Sequence, residues 1–202
     1  TRHGVLVELR RGDDGGEPMQ GSGWILNSAS RQAGTLAPAS MASAMGESFT
    51  SGTLYAPGDN LPEELGGVTV TMTDSAGVVH TARISMAAPD RVDFFIPEGV
   101  APGLAQVSIR KQDGGSVAGS IFVATTGPGL FSADGSGTGT GLISVIHRDE
   151  SGNDVWSTAF SDQSGAMAPA PISMSDPSKQ VYLQLYGTGI RPVNGAAGVT
   201  AQ

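Results

Sequence analysis

The 202-residue sequence has no cysteine and only two lysines, Lys111 and Lys179. Without cysteine there are no disulfides, no thiolate chemistry and no Cys-ligated zinc, while the redox compartment stays open. Aromatic residues make up only 5% of the chain. Nowhere does it contain the roughly 20 consecutive apolar residues that a membrane-spanning helix needs. Uninterrupted helix-forming sequence is scarce as well, because Gly and Pro together fill about one position in five. The longest stretch free of both, Asn153 to Ser164, is 12 residues. A helical bundle and a doubly wound α/β fold are thereby excluded, since each crossover helix needs about 10–15 such residues.

Basic charge is also short. Eleven Lys and Arg stand against nineteen Asp and Glu, for a net charge of −8. The basic residues are scattered apart from Arg10 and Arg11, and no basic stripe interleaves with aromatics. Such a chain repels phosphate backbones, so nucleic acid is not expected as a partner. The poverty in lysine and the wealth of Ser, Thr, Gly and Ala lean towards an exported protein. The chain opens at Thr1 with neither Met nor a signal-peptide core, which fits a processed product or a fragment.

What the sequence has is β-strand pattern. Val5, Val7 and Leu9 form a mostly apolar strand, and Trp24-Ile25-Leu26 is a second short apolar piece. The Ala-, Ser- and Met-rich run from Arg31 to Ser48 reads mainly as a linker, with room for a helical turn at Ala39–Met45. From Gly66 the two-residue period is clear: Val68, Val70 and Met72 face one way, Thr69, Thr71 and Thr73 the other. After the turn Asp74-Ser75-Ala76-Gly77, His80, Ala82, Ile84 and Met86 alternate with polar residues, which predicts a hairpin. Val92, Phe94 and Ile96 give a third strand closed by Pro97, Val107 and Ile109 a fourth, and Ile121-Phe122-Val123 a fifth. Strands at this spacing predict a β-sandwich. A glycine-dense stretch, Gly127–Gly141, leads into further strands at Leu142–His147, Val155–Phe160 and Val181–Tyr186.

Motifs with chemistry are few. His3, His80 and His147 are widely separated, and HExxH, GxSxG, GxGxxG and the P-loop pattern are all absent, so no catalytic, cofactor or metal residue is nominated and an enzyme is not expected. Asp149, Glu150, Asn153 and Asp154 gather oxygens on one turn, as do Asp13, Asp14 and Glu17. Neither keeps EF-hand spacing, and a solvated turn is the simpler reading than calcium. Arg11-Gly12-Asp13 spells an integrin-type tripeptide, but Asp13-Asp14-Gly15-Gly16 reads more simply as a turn. Trp24, Tyr55, Trp156, Tyr182 and Tyr186 are candidates for an aromatic platform that stacks on sugars. Tyr182, Gln184 and Tyr186 share parity on one strand, although packing of that face against another layer is the plainer account.

Several segments in order resemble a known family: Ser48-Phe49, Tyr55-Ala56-Pro57-Gly58, Leu61-Pro62, Leu65-Gly66-Gly67-Val68, Asp93-Phe94-Phe95-Ile96-Pro97, Ala101-Pro102-Gly103, Pro128-Gly129-Leu130-Phe131, Gly135-Ser136-Gly137-Thr138-Gly139 and Leu185-Tyr186-Gly187-Thr188-Gly189. They are similar to the bacterial Ig-like repeat modules near the C-termini of large exported acidobacterial proteins, the Solibacter C-terminal domain type, over about Ala42 to Gln202. The resemblance implies tandem Ig-like sandwiches serving as surface stalks, adhesive modules or scaffolding, with no active site. Two departures stand out: the Asp74–Gly77 turn extends its hairpin, and the chain does not continue into a full second sandwich.

The combined expectation is an all-β protein, secreted or at the cell surface. It comprises N-terminal strands and linker at 1–47, an Ig-like sandwich at 48–125 and an incomplete second β-sandwich-like domain at 126–202. It should work by assembly or attachment, through self-association along strand edges. In one form, Val5–Leu9 of one subunit completes the second domain of the next, building a head-to-tail filament. The alternatives are a module that binds cell-surface glycan and a non-catalytic accessory domain.

Overall fold

A computed structural model describes residues 24–190, and they form an all-β protein in which no helix is long and apolar enough to cross a membrane. The strand read at Val5–Leu9, the Arg11-Gly12-Asp13 tripeptide, the Asp13/Asp14/Glu17 cluster and His3 lie outside these residues.

The first unit is a two-sheet sandwich. One sheet runs β1 (Ile25–Asn27), β3 (Met41–Met45), β9 (Arg91–Phe95), β8 (Arg83–Ala87), β4 (Leu54–Tyr55). The other runs β2 (Thr35–Leu36), β11 (Ser116–Val123), β10 (Gly103–Arg110), β6 (Val68–Thr73), β5 (Glu64–Leu65), with β7 (Val79–Thr81) also paired to β6. The first strand splits between sheets, β1 pairing antiparallel with β3 and β2 parallel with β11. With β9 and β8 completing one sheet and β10 and β6 the other, this is the strand order of an Ig-like sandwich. Alternation drives it: along β6 every Val and Met is buried and every Thr half-buried, and along β10 Ala105, Val107 and Ile109 point inward. Phe49, Phe94, Leu36, Met72, Ile84 and Ile109 fill the centre.

Two expectations are corrected. Residues 31–48 are not a linker and hold no helical turn: they supply β2 and β3, and β3 sits between β1 and β9. The sandwich therefore takes in residues well before 48, from Ile25 onward among the described residues. The run from His80 to Met86 is not one strand either. The chain crosses between sheets at the fully buried Ala82, so β7 pairs with β6 while β8 pairs with β9.

The second unit contains β13 (Ile143–Arg148) between β14 (Asp154–Thr158) and β17 (Gln180–Leu185), all antiparallel. Beside this sheet lie a hairpin of β15 (Phe160–Gln163) and β16 (Ala166–Pro169) and a short ladder of β12 (Gly129–Leu130) with β18 (Gly187–Thr188). That ladder joins the two units. Asn27 Nδ2 donates to the Gly127 carbonyl at 3.0 Å, Gly127 N–H to the Gly189 carbonyl at 3.1 Å, and Met41 N–H to Thr188 Oγ1 at 2.7 Å. Gly189 has φ +70°, and a Cβ there would collide with the Gly127 carbonyl, so only glycine suits the position.

Candidate functional site

The register of the three-stranded sheet places side chains in rows, because residues directly opposite one another share a face. On one face the rows are Asp154–Arg148–Gln180, then Trp156–Ile146–Tyr182, then Thr158–Ser144–Gln184. Tyr186 extends this face beyond β17, and its hydroxyl lies 3.2 Å from Ser144 Oγ. The opposite face carries Val155–His147–Val181, Ser157–Val145–Leu183 and Ile143–Leu185. One face is thus aromatic and polar, the other largely aliphatic.

Both faces are open to a degree unusual for such residues. On the aromatic face Trp156 is 56% exposed and Tyr182 43%. On the aliphatic face Val145 is buried, but Val155, Leu183 and Leu185 around it stand at least half exposed. β14 and β17 are the outer strands, and each offers an edge without a partner among the described residues.

The aromatic face is ordered by its own contacts. Arg148 grips Asp154 through two hydrogen bonds, Nε to Oδ1 at 2.7 Å and a terminal nitrogen to Oδ2 at 2.8 Å. This fork holds the Asp154 carboxyl below its usual range and pushes the guanidinium higher still, so the two charges persist and offset each other. The guanidinium carbon lies 5.4 Å from the Tyr182 ring centre, and the Tyr182 hydroxyl donates to Gln180 Oε1 at 2.6 Å. Tyr182 is therefore fixed from two sides. Gln184, exposed at the β17 end of its row, has no side-chain partner among the described residues.

The other candidates do not assemble into a site. Trp24 is buried in the sandwich core, and Tyr55 lies on β4 of the sandwich, so neither joins the platform. His80 contacts Asp74 at 2.9 Å, and His147 sits on the aliphatic face between Val155 and Val181. The Asp149 carboxylate is occupied by the turn itself, accepting from the N–H groups of Ser151 and Asn153 at 2.9 Å and from Asn153 Nδ2 at 3.0 Å. Among the described residues no group of three His, Cys, Asp or Glu side chains is placed to hold a metal ion. A cleft of about 620 Å³ in the sandwich is lined by Asp59, Glu63, Thr81, Arg83 and Glu98 with Leu61 and Phe95.

Parity along β17 already aligned Tyr182 with Gln184 and Tyr186. Trp156 joins them only through the β13 register, which no local pattern in the sequence reveals.

No family model matches the chain, and no curated protein matches it. Among solved structures, a protein of Bacteroides vulgatus ATCC 8482 named as a bacterial DNA-binding protein is similar over 50% of this chain and 45% of its own, at 16% identity and a TM-score of 0.35. A tetra-tandem repeat from the extending region of a large adhesion protein is similar over 76% of this chain and 48% of its own, at 13% identity and a TM-score of 0.28. The chain spans less than half the length of either.

Proposed function

We propose that the protein is an exported, non-catalytic module of bacterial surface type that acts by assembly and attachment, with its second unit as the working part. The observation that carries this reading is the openness of the β14–β13–β17 sheet, whose aliphatic side exposes Val155, Leu183 and Leu185 between two edges that have no partner among the described residues. Leaving such a face in water is costly, at about 25 cal/mol for each Å² of apolar surface. A second copy that covers it removes that cost, while backbone pairing along β14 or β17 supplies direction. The family resemblance supports the same reading, because those modules belong to exported proteins. In its most specific form the added strand is the Val5–Leu9 segment of a neighbouring subunit, which makes the contact head-to-tail and the product a filament.

The test is sedimentation velocity across a wide concentration range, with negative-stain microscopy of the same samples. Association that rises with concentration, yields fibres and is lost in Leu183→Asp is the expected result. Deletion of residues 1–10 should abolish fibres if strand exchange builds them. A single species of one-chain mass at every concentration overturns self-assembly.

A further inference from the structure

We infer that the aromatic face of the β14–β13–β17 sheet is a binding platform for a neutral polysaccharide chain. The basis is the juxtaposition of an aromatic row, Trp156–Ile146–Tyr182, with a parallel row of hydroxyl and amide groups, Thr158–Ser144–Gln184. This inference stands apart from self-association, which uses the opposite face and the strand edges.

A sugar ring has two kinds of surface, and the sheet matches both. The C–H groups on the broad side of a pyranose are apolar and weakly positive, and they rest well on the negative face of an aromatic ring. Its hydroxyls lie around the rim and need donors and acceptors at the edge of that contact. Trp156 supplies the largest exposed π surface on the sheet, and Tyr182 lies across Ile146 in the same row. Strands are about 4.8 Å apart, so the row spans roughly 10 Å from β14 to β17, long enough for more than one sugar unit. The neighbouring row begins about 7 Å further along the strands, and there the exposed Gln184 amide and the Ser144 hydroxyl face the same solvent. Tyr186 closes the far end through its contact with Ser144.

Preorganisation adds to the fit. The Arg148–Asp154 fork and the Tyr182–Gln180 hydrogen bond fix the Tyr182 ring before any ligand arrives, which lowers the ordering cost of binding. These contacts also separate the two faces of the sheet. The aliphatic side offers no polar group beyond His147 and Ser157, so it suits a protein layer, whereas the aromatic side suits a hydrated ligand.

Charge decides which polysaccharide. The only charges on the aromatic rows, Arg148 and Asp154, are paired with each other, and the chain carries a net −8. A polyanion such as pectate or a sulfated glycan would be repelled by the whole molecule and would find no free cation on the platform. An uncharged glucan, xylan, mannan or chitin chain meets neither obstacle.

The experiment is affinity electrophoresis of the full chain through gels containing mixed-linkage glucan, xylan or mannan, together with pull-down on insoluble cellulose and chitin. Pectate serves as the anionic comparison. Retention by at least one neutral polymer, unchanged at high salt, is expected. Trp156→Ala and Tyr182→Ala should each weaken it about tenfold or more, as truncation of a central aromatic anchor does, while Trp156→Phe keeps most of it. Leu183→Asp, on the opposite face, should leave it intact, and unaltered circular dichroism for each variant excludes misfolding. No retention on any neutral polymer, retention by pectate alone, or retention indifferent to the aromatic substitutions would each overturn the proposal. Because Leu183→Asp removes association without touching the platform, failure of one reading is distinguishable from failure of the other.

Discussion

Asp74 organises a whole corner of the sandwich. Its carboxylate accepts N–H groups from Ala76 and Val78 at 2.9 Å and from Ala101 at 3.0 Å, and it meets His80 Nε2 at 2.9 Å. These bonds, the Ala101 N–H foremost and His80 next, hold its carboxyl far below the ordinary 3.8. Since the folded value lies below the unfolded one, the stabilisation is complete above about pH 3.8 and is lost as the pH falls from there through the folded value. Asp74→Asn should therefore lower the urea midpoint at neutral pH and flatten its fall in acid, which urea titrations at several pH values measure. At Gly119 the constraint is packing. A Cβ there would lie 2.5 Å from Trp24 Nε1, against a rigid indole with little room to move. Gly119→Ala should cost about 1–3 kcal/mol by chemical denaturation, the usual range for overpacking.

At the scale of the element, legibility tracked burial on one side. β6 could be read from its letters because Val68, Val70 and Met72 are buried while the intervening threonines are only half-buried. β3 could not. In Met41-Ala-Ser-Ala-Met45 the three central residues are all buried, so no alternation survives, and its small residues read as a linker. Ser43 Oγ lies 2.8 Å from Ser28 Oγ and donates to Asp93 Oδ1 at 2.6 Å, which makes its hydroxyl a packing group of a central strand. The strand switch at Ala82 was hidden for a related reason, since the core-facing parity of Ala82, Ile84 and Met86 continues across the change of sheet. The platform was half legible: two of its aromatics share parity along β17 and the residue just after it, and the third depends on a pairing between strands distant in sequence. The opposed rows also give a spectroscopic prediction. The chain has two tryptophans, Trp24 buried and Trp156 exposed. In a Trp24→Phe background the remaining emission should be red-shifted, readily quenched by acrylamide, and protected by any polysaccharide that binds.

Across the whole molecule, the sandwich and the second unit meet through bonds between side chains and backbone. The Asn27 amide donates to the Gly127 carbonyl, Met41 N–H donates to the Thr188 hydroxyl, and the glycine-dense stretch reaches back to the sandwich where Arg31 Nε donates to the Gly135 carbonyl at 3.3 Å. Gly189→Ala should therefore loosen this seam without unfolding the sandwich. Limited proteolysis is expected to cut sooner within residues 127–141 of the variant, while residues 64–123 stay protected. Equal cutting throughout both units would show that they unfold together instead.

The same seam settles how a pull on the chain would travel. Gly127 bonds Asn27 on one side and Gly189 on the other, so the two ends of the described residues are tied at nearly one point. Tension applied at residues 24 and 190 crosses that point directly and bypasses β6, β10 and β13. The sandwich hangs from the line of force like a charm on a bracelet, and under load the clasp would yield before β6, β10 or β13 parted.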